Sequence, residues 1–315
     1  MIEVLTFGEA MAALRGAGPL RLGGSMELSV AGAETNVAIG LARLGHRVGW
    51  IGRVGADETG ELVRRTLRAE SVDISAVITD SSRPTGLLLF EHRIGDLVRV
   101  AYYRTGSSGS QLSADDVLPS VTKGLRLVHI TGVTAALGPS APGCVAQVAA
   151  HAHEVAATVS VDINYRSHLW SASAARSALR PLMDVADIVF ASADELLLVA
   201  DDPDAGQESA VHGLLARGVG QVVIKRGAEG ASAYTCDSSF SVPTKPVRVV
   251  DVVGAGDAFV TGYISALLDG ADLPTRLDRG STTAAFAIAR HGDWEGLPTR
   301  AELSLLDLPT GTTVR

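Results

Sequence analysis

The chain has 315 residues, a hydrophobic fraction of 46% and a formal charge of −8. That is enough apolar material for one large core or two modest ones, and the acidic balance argues against broad affinity for nucleic acid. No apolar run approaches the roughly 20 residues a membrane span needs, and Met1-Ile2-Glu3-Val4 has neither the basic region nor the cleavage site of a signal peptide. Cys144 and Cys236 stand far apart in no metal-like spacing, which fits a reducing cytoplasm and reads both as packing residues.

From the N-terminus onward, short β-type runs alternate with helix-type segments. Val4-Leu5-Thr6-Phe7, Arg47-Val48-Gly49-Trp50-Ile51, Leu125-Arg126-Leu127-Val128-His129-Ile130, Thr158-Val159-Ser160-Val161, Asp187-Ile188-Val189-Phe190 and Gln221-Val222-Val223-Ile224 are the expected strands. Several are near-continuous apolar runs, as expected for parallel strands buried on both faces. Between them, Val37, Leu41 and Leu44 fall at helical spacing, and Phe259, Tyr263 and Leu267 repeat every fourth residue. This rhythm predicts an α/β fold, a doubly wound, mainly parallel sheet flanked by helices.

Two regions break it. Residues 10–30 are rich in Gly and Leu without helical periodicity, and residues 86–104 read as a hairpin turning at Gly95-Asp96. Both could belong to a small accessory sheet or to ordinary edge strands. His151 and His153, two apart on an expected helix, face different ways and make a poor metal pair.

Asp251-Val252-Val253-Gly254-Ala255-Gly256-Asp257-Ala258-Phe259 lies between a β-like stretch and a helix. Glycines there let the backbone turn tightly and present N–H groups from a helix start, which suits the charge on a transferring phosphoryl group. A carboxylate in the first turn can accept a proton from an attacking hydroxyl. Taken alone, the run fits equally well a Gly-rich turn with Asp257 as a helix-start residue. There is no P-loop motif, and Gly254-x-Gly256 lacks the third glycine of a dinucleotide fingerprint.

Together with a second, distant pattern, this segment resembles the ribokinase-like carbohydrate kinases of the phosphofructokinase-B type. The second pattern is Ala31-Gly32-Ala33-Glu34-Thr35-Asn36-Val37-Ala38, followed by Leu44-Gly45 and Ile51-Gly52-Arg53-Val54-Gly55-Ala56-Asp57. The resemblance covers nearly the whole chain. It implies one kinase domain over residues 1–315, with a β lid from about 10–30 and 84–107. It also implies ATP, Mg2+ and transfer of the γ-phosphoryl group to a hydroxyl of a small ligand; dependence on a monovalent cation stays open. Asp257 would be the base, with the Gly254, Ala255 and Gly256 amides stabilising transferred charge.

Further segments look like one branch of that family, the 2-keto-3-deoxygluconate kinases: Ala101-Tyr102-Tyr103-Arg104-Thr105-Gly106, Asp162-Ile163-Asn164-Tyr165-Arg166 and Gly292-Asp293-Trp294-Glu295-Gly296. On a strand, Tyr102 and Arg104 share a face. Arg166 follows a strand end, where open α/β sheets bind ligands. Two converging arginines favour a substrate with a carboxylate. Arg166 could instead pair with Asp162 or Asp187, or contact only ATP phosphates. The resemblance adds Gly32, Ala33, Asn36 and Asp293 to the sugar site, though Asn36 could simply serve its helix start and Asp293 cap a turn.

For the nucleotide, Lys225-Arg226-Gly227-Ala228-Glu229-Gly230 resembles the family's ATP-binding turn, and Asn164 would join it. Glu195 would meet the metal through water, although Ser192 replaces the asparagine of the family's Asn-x-x-Glu. The resemblance implies phosphorylation of 2-keto-3-deoxygluconate on its terminal hydroxyl, with a kinase of the same family acting on fructose, ribose, a nucleoside or the galacto keto-acid as the alternative, and a sugar-binding regulator without turnover as a further one. An open lid sheet has edges that need cover, so a homo-oligomer with lids meeting between subunits is expected.

Overall fold

Successive residues of the central strands enter two different cores, which is why those segments read as unbroken apolar runs. The computed structural model describes residues 2–94, 97–308 and 312–313. In chain order the strands are β1 (Val4–Phe7), β2 (Met11–Gly16), β3 (Met26–Ala31), β4 (Val48–Ile51), β5 (Arg53–Gly55), β6 (Ile78–Asp80) and β7 (Gly86–Ile94). They continue as β8 (Leu97–Tyr103), β9 (Leu127–Thr131), β10 (Thr158–Asp162), β11 (Ile188–Ser192), β12 (Gln221–Lys225), β13 (Ala231–Tyr234) and β14 (Ser239–Val242).

The large sheet has the order β14-β13-β12-β11-β10-β9-β1-β4. It is parallel from β4 to β12, and β13 and β14 close that edge antiparallel. Along β1, Leu5 and Phe7 enter one core and Val4 the other. On β9, Val128 and Ile130 oppose Leu127 in the same way. Helix Ala141–Glu154 covers the first face, while helices Ala33–Arg43 and Ala255–Leu268 cover the second. Each fully buried Val, Leu, Ile or Phe side chain adds about 1.5–3 kcal/mol. β1 has β4 on one side and β9 on the other, so the chain reverses its direction of winding there. The crevice at the carboxyl ends beside such a switch point is where α/β sheets hold ligands.

A second sheet, β3-β2-β7-β8, takes in both irregular regions. β2 runs antiparallel to β3 and parallel to β7, and β7 pairs antiparallel with β8. The expected turn at Gly95-Asp96 lies outside the described residues. Met11, Ala13, Leu88 and Phe90 form a small core on the inner face. Asp57 anchors the base of this sheet: it accepts hydrogen bonds from the Gly60 amide (2.7 Å) and the Thr85 amide (2.9 Å), capping helix Glu58–Ala69 and fixing the approach to β7.

The two cysteines part company. Cys144 is buried in the core, but Cys236 is exposed between β13 and β14, so its reading as a packing residue is corrected. A four-residue turn joining the last two strands at one side of the sheet has no core to face.

Candidate active site

A cavity of about 930 Å3 opens between the carboxyl edge of the large sheet and the inner face of the second sheet. Nearly every expected residue lines it: Gly32, Ala33, Asn36, Tyr102, Arg104, Asn164, Arg166, Glu195, Lys225, Gly227, Gly230, Gly254, Ala255, Gly256, Asp257 and Asp293. Arg226 does not. Its guanidinium donates to Gln207 Oε1 (3.0 Å), Ser232 Oγ (3.2 Å) and the Tyr234 hydroxyl (3.4 Å), which ties it to the β13 side. Residues 225 and 226 end a strand and so point to opposite faces; with Lys225 turned inward, Arg226 is turned out.

Asp257 stands in the first turn of helix Ala255–Leu268, where the leading amides have no acceptor one turn back. Gly254 caps that helix at φ 73°, a conformation that disfavours a side chain, and a Cβ there would lie 2.2 Å from Asp293 O. The glycine turn therefore seats directly on the Asp293 backbone. The Ala255 amide reaches Val252 O at 3.3 Å, so it is partly engaged in closing the turn.

Asn36 Nδ2 donates to Asp257 Oδ2 at 2.8 Å, and Asn164 Nδ2 approaches Oδ1 at 3.4 Å. Asn164 adopts φ 37°, a left-handed conformation that Asn tolerates better than most residues. The Asp257 carboxyl is pushed up to about 6. Burial is the main cause and Asp162 adds to it; the Asn36 hydrogen bond, Arg166 and Lys225 pull the other way. A base in this range is ionised at neutral pH yet can hold a proton taken from a hydroxyl.

At the β12 end of the cavity, Lys225 Nζ donates to both Asp162 oxygens at 2.6 and 2.8 Å. Burial lowers the Lys225 pKa, but Asp162, Glu195 and Asp257 outweigh it, and the net shift is upward, so the ammonium stays charged. Gly227 and Gly230 have φ of 56° and 94°, and a Cβ on Gly230 would lie 2.0 Å from Val242 O. Beyond them Val249, Val252, Ala285 and Ile288 give the cavity an apolar slot.

Ser192 caps the start of the helix that carries Glu195. Its hydroxyl accepts from the Glu195 amide at 3.2 Å. Glu195 in turn accepts from the Ser192 amide (2.7 Å) and the Tyr165 amide (2.8 Å), one on each oxygen. The carboxylate is thus fixed in orientation with lone pairs to spare. Among the described residues no group of three or more His, Cys, Asp or Glu could hold a metal. A single oriented carboxylate at the cavity wall would suit Mg2+, which keeps several waters and binds largely through substrate phosphates.

The opposite end holds the two arginines in different states. Arg104 is mostly buried and pairs with Glu9 at 2.5 Å, and Glu9 Oε1 also accepts from Ser107 at 2.6 Å. Burial raises the Glu9 pKa against the pull of Arg104. Gly86 and Gly109 make room for this carboxylate, since a Cβ on either would come within 2.9 Å of it. Arg166 is exposed, and its contact to Tyr165 O is long, at 3.5 Å. It does not take the alternative partners: Asp162 holds Lys225, and Asp187 accepts from the Val159 amide at 2.7 Å. Tyr102 stacks on His168 with ring centroids 4.4 Å apart. The Asp293 carboxyl is pushed up to about 7 by burial, opposed by Arg15.

Glu9, Arg15, Asp162 and His168 were not among the expected site residues. Glu9 and Asp162 sit at or just past the ends of β1 and β10, so position at the carboxyl edge was an available signal. Arg15 had none, because its partner Asp293 is 278 residues away.

The profile of the pfkB family carbohydrate kinases matches residues 1–300. The chain belongs to this family. A protein from Bacillus subtilis (strain 168) named 2-dehydro-3-deoxygluconokinase is 36% identical over 312 residues, covering 96% of this chain and 94% of that one. One of the same name from Thermoproteus tenax is 36% identical over 313 residues, covering 96% and 93%. Among solved structures, an E. coli protein described as a ribokinase II in complex with ATP and Mg2+ has a TM-score of 0.91 at 26% identity, covering 98% of this chain and 99% of that one. The doubly wound fold and the carbohydrate kinase activity expected from the sequence agree with these findings.

Proposed function

We propose that this kinase transfers the γ-phosphoryl group of ATP to the terminal hydroxyl of 2-keto-3-deoxygluconate. The carrying observation is the position of Asp257, between an apolar slot with a charged lysine on one side and two arginines on the other. The named relatives support the choice of a sugar acid.

In this reading the sugar acid lies between Gly32, Ala33, Asn36 and the inner face of the second sheet, which acts as a lid of one kinase domain. Arg166, with no carboxylate partner among the described residues, supplies the attraction for a substrate carboxylate. Arg104, whose charge Glu9 offsets, supplies aimed donors instead. Asp293 accepts from a sugar hydroxyl and Tyr102 borders the chain of the ligand. Asp257 accepts the proton of the terminal hydroxyl as that oxygen bonds to phosphorus. The bond from phosphorus to the β–γ bridging oxygen breaks, and ADP leaves. The Gly254 and Gly256 turn presents amides to the shifting charge, and Lys225 with Gly227 and Gly230 holds the nucleotide phosphates. Mg2+ would neutralise phosphate charge, with Glu195 facing it through water.

We also infer a homodimer closed through the lids. In register across the outer face run Leu28, Leu14, Leu89 and Ala101, and Leu28 and Tyr103 are 51% and 62% exposed. An apolar outer face on a thin sheet needs a cover, and a second copy offers a matching one. Mass measured by light scattering should be about twice 32.6 kDa, and L28E should return it to the monomer value. We place the reaction in the cytoplasm, in keeping with two free thiols.

The deciding experiment is a coupled assay of ADP release over 2-keto-3-deoxygluconate, its galacto epimer, fructose, ribose and a nucleoside. Turnover confined to the keto-sugar acids supports the proposal. A preference for a neutral sugar would leave a carbohydrate kinase with a different substrate.

A further inference from the structure

Arg15 crosses from the lid to the body of the enzyme. It sits on β2, its guanidinium lies 3.9 Å from the centroid of the Phe90 ring, and it pairs with Asp293 and, at 3.8 Å, with Asp251. The side chains of Arg15, Asp251 and Asp293 are each only 10% exposed. The two carboxylates flank the glycine turn in space. Asp251 accepts from the Val253 amide (3.0 Å) and the Gly292 amide (3.4 Å), stapling the segment before the turn to the segment that carries Asp293. Asp293 O, in turn, occupies the space that a Cβ on Gly254 would need. Next along the chain, Trp294 Nε1 donates to Val30 O on β3 at 2.9 Å, a second tie between this segment and the lid.

A charge on the lid is therefore connected through one carboxylate to the backbone on which the catalytic turn rests. We propose that Arg15 is a positioning residue for the phosphoryl transfer: from the closed lid it orients Asp293 as an acceptor for a sugar hydroxyl and couples lid closure to the glycine turn before Asp257. This rests on the proposed role of Asp293 in holding the sugar.

The groups that face Asp293 are consistent with this assignment. Asp251 and Asp257 approach it from either end of the glycine turn, Glu295 from its own loop, Tyr102 from β8 and Arg15 from β2. Burial and the three carboxylates favour the protonated form of Asp293, and Arg15 opposes them. A buried pair of this kind is worth most through the penalty for leaving one charge without its partner. Without Arg15, Asp293 would bind its proton more tightly, so its ionised form would return only at higher pH.

The test uses the full chain with R15M, R15K, D293N and the double variant R15M/D293N, reading ADP release as 2-keto-3-deoxygluconate and ATP are varied from pH 6 to 9. R15M should raise KM for the sugar acid at pH 7 by roughly 10- to 100-fold, leave KM for ATP within about twofold, and recover sugar affinity as the pH rises. R15K should move the pH profile back toward the parent enzyme. The double variant should be little worse than D293N, because both changes act through one acceptor. Unchanged sugar KM in R15M beside a raised value in D293N would overturn the inference, as would a loss in R15M that is flat with pH. An unchanged KM in D293N would remove the proposed role of Asp293, and the inference with it.

Discussion

The two ends of the cavity are built by different means. The end proposed for the nucleotide and for catalysis is local: Gly254 caps the helix whose first turn carries Asp257, Ser192 caps the helix that carries Glu195, and Gly227 and Gly230 shape the turn after β12. The end proposed for the sugar is assembled across the chain, with Arg104 set by Glu9 and Asp293 set by Arg15. Backbone turns and caps give fixed donors that any phosphate can use. Long-range ion pairs join the second sheet to the body, and if that sheet closes as the proposed lid they place side chains only in the closed form. On the proposed function, the chemistry would be tied to rigid elements and the choice of sugar to tertiary closure.

That contrast can be broken at either end, and the largest effect is expected at Asp257. D257N should lower kcat by roughly 10²–10⁴-fold while nucleotide binding, followed by calorimetry, stays near the parent value. Near-normal turnover would remove Asp257 from its role. At the sugar end, E9A leaves Arg104 buried without its carboxylate, which should destabilise the fold by about 3–5 kcal/mol; denaturant midpoints measure this. E9Q, which keeps the shape, should raise KM for the sugar acid more than KM for ATP, and equal changes would make Glu9 purely structural.

Acidity offers a further test. The Asp257 carboxyl lies at about 6 and must be ionised to accept a proton. Turnover at saturating substrates should hold above that value and fall tenfold per pH unit well below it. A kcat that stays flat down to pH 5 would contradict the assignment. The smallest effect belongs to the nucleotide end: S192A removes a helix cap and should reduce stability by about 1 kcal/mol, with Glu195 still held by the Tyr165 amide at 2.8 Å.

The same division governs what could be read from the sequence. The parallel strands were legible because residues buried on both faces leave continuous apolar runs, and the glycine turn because its conformation admits few other residues. Ser192 looked like a departure from the family pattern, yet serine and asparagine cap a helix start equally well. Arg226 was misplaced because a motif names a turn without saying which face each side chain takes. Arg15 stayed hidden for another reason. An ion pair between residues 15 and 293 leaves no periodicity and no spacing in a single chain, and only the fold brings the two together.

The central claim is that this carbohydrate kinase selects a sugar acid through Arg166 and Arg104 and phosphorylates it by means of Asp257. The most direct measurement is the ratio of kcat/KM for 2-keto-3-deoxygluconate to that for fructose, in the parent chain and in R166A. The account predicts a parent ratio of at least about a hundredfold that shrinks sharply in R166A because only the sugar acid loses a partner. A ratio near one in the parent, or the same ratio in both proteins, would contradict it.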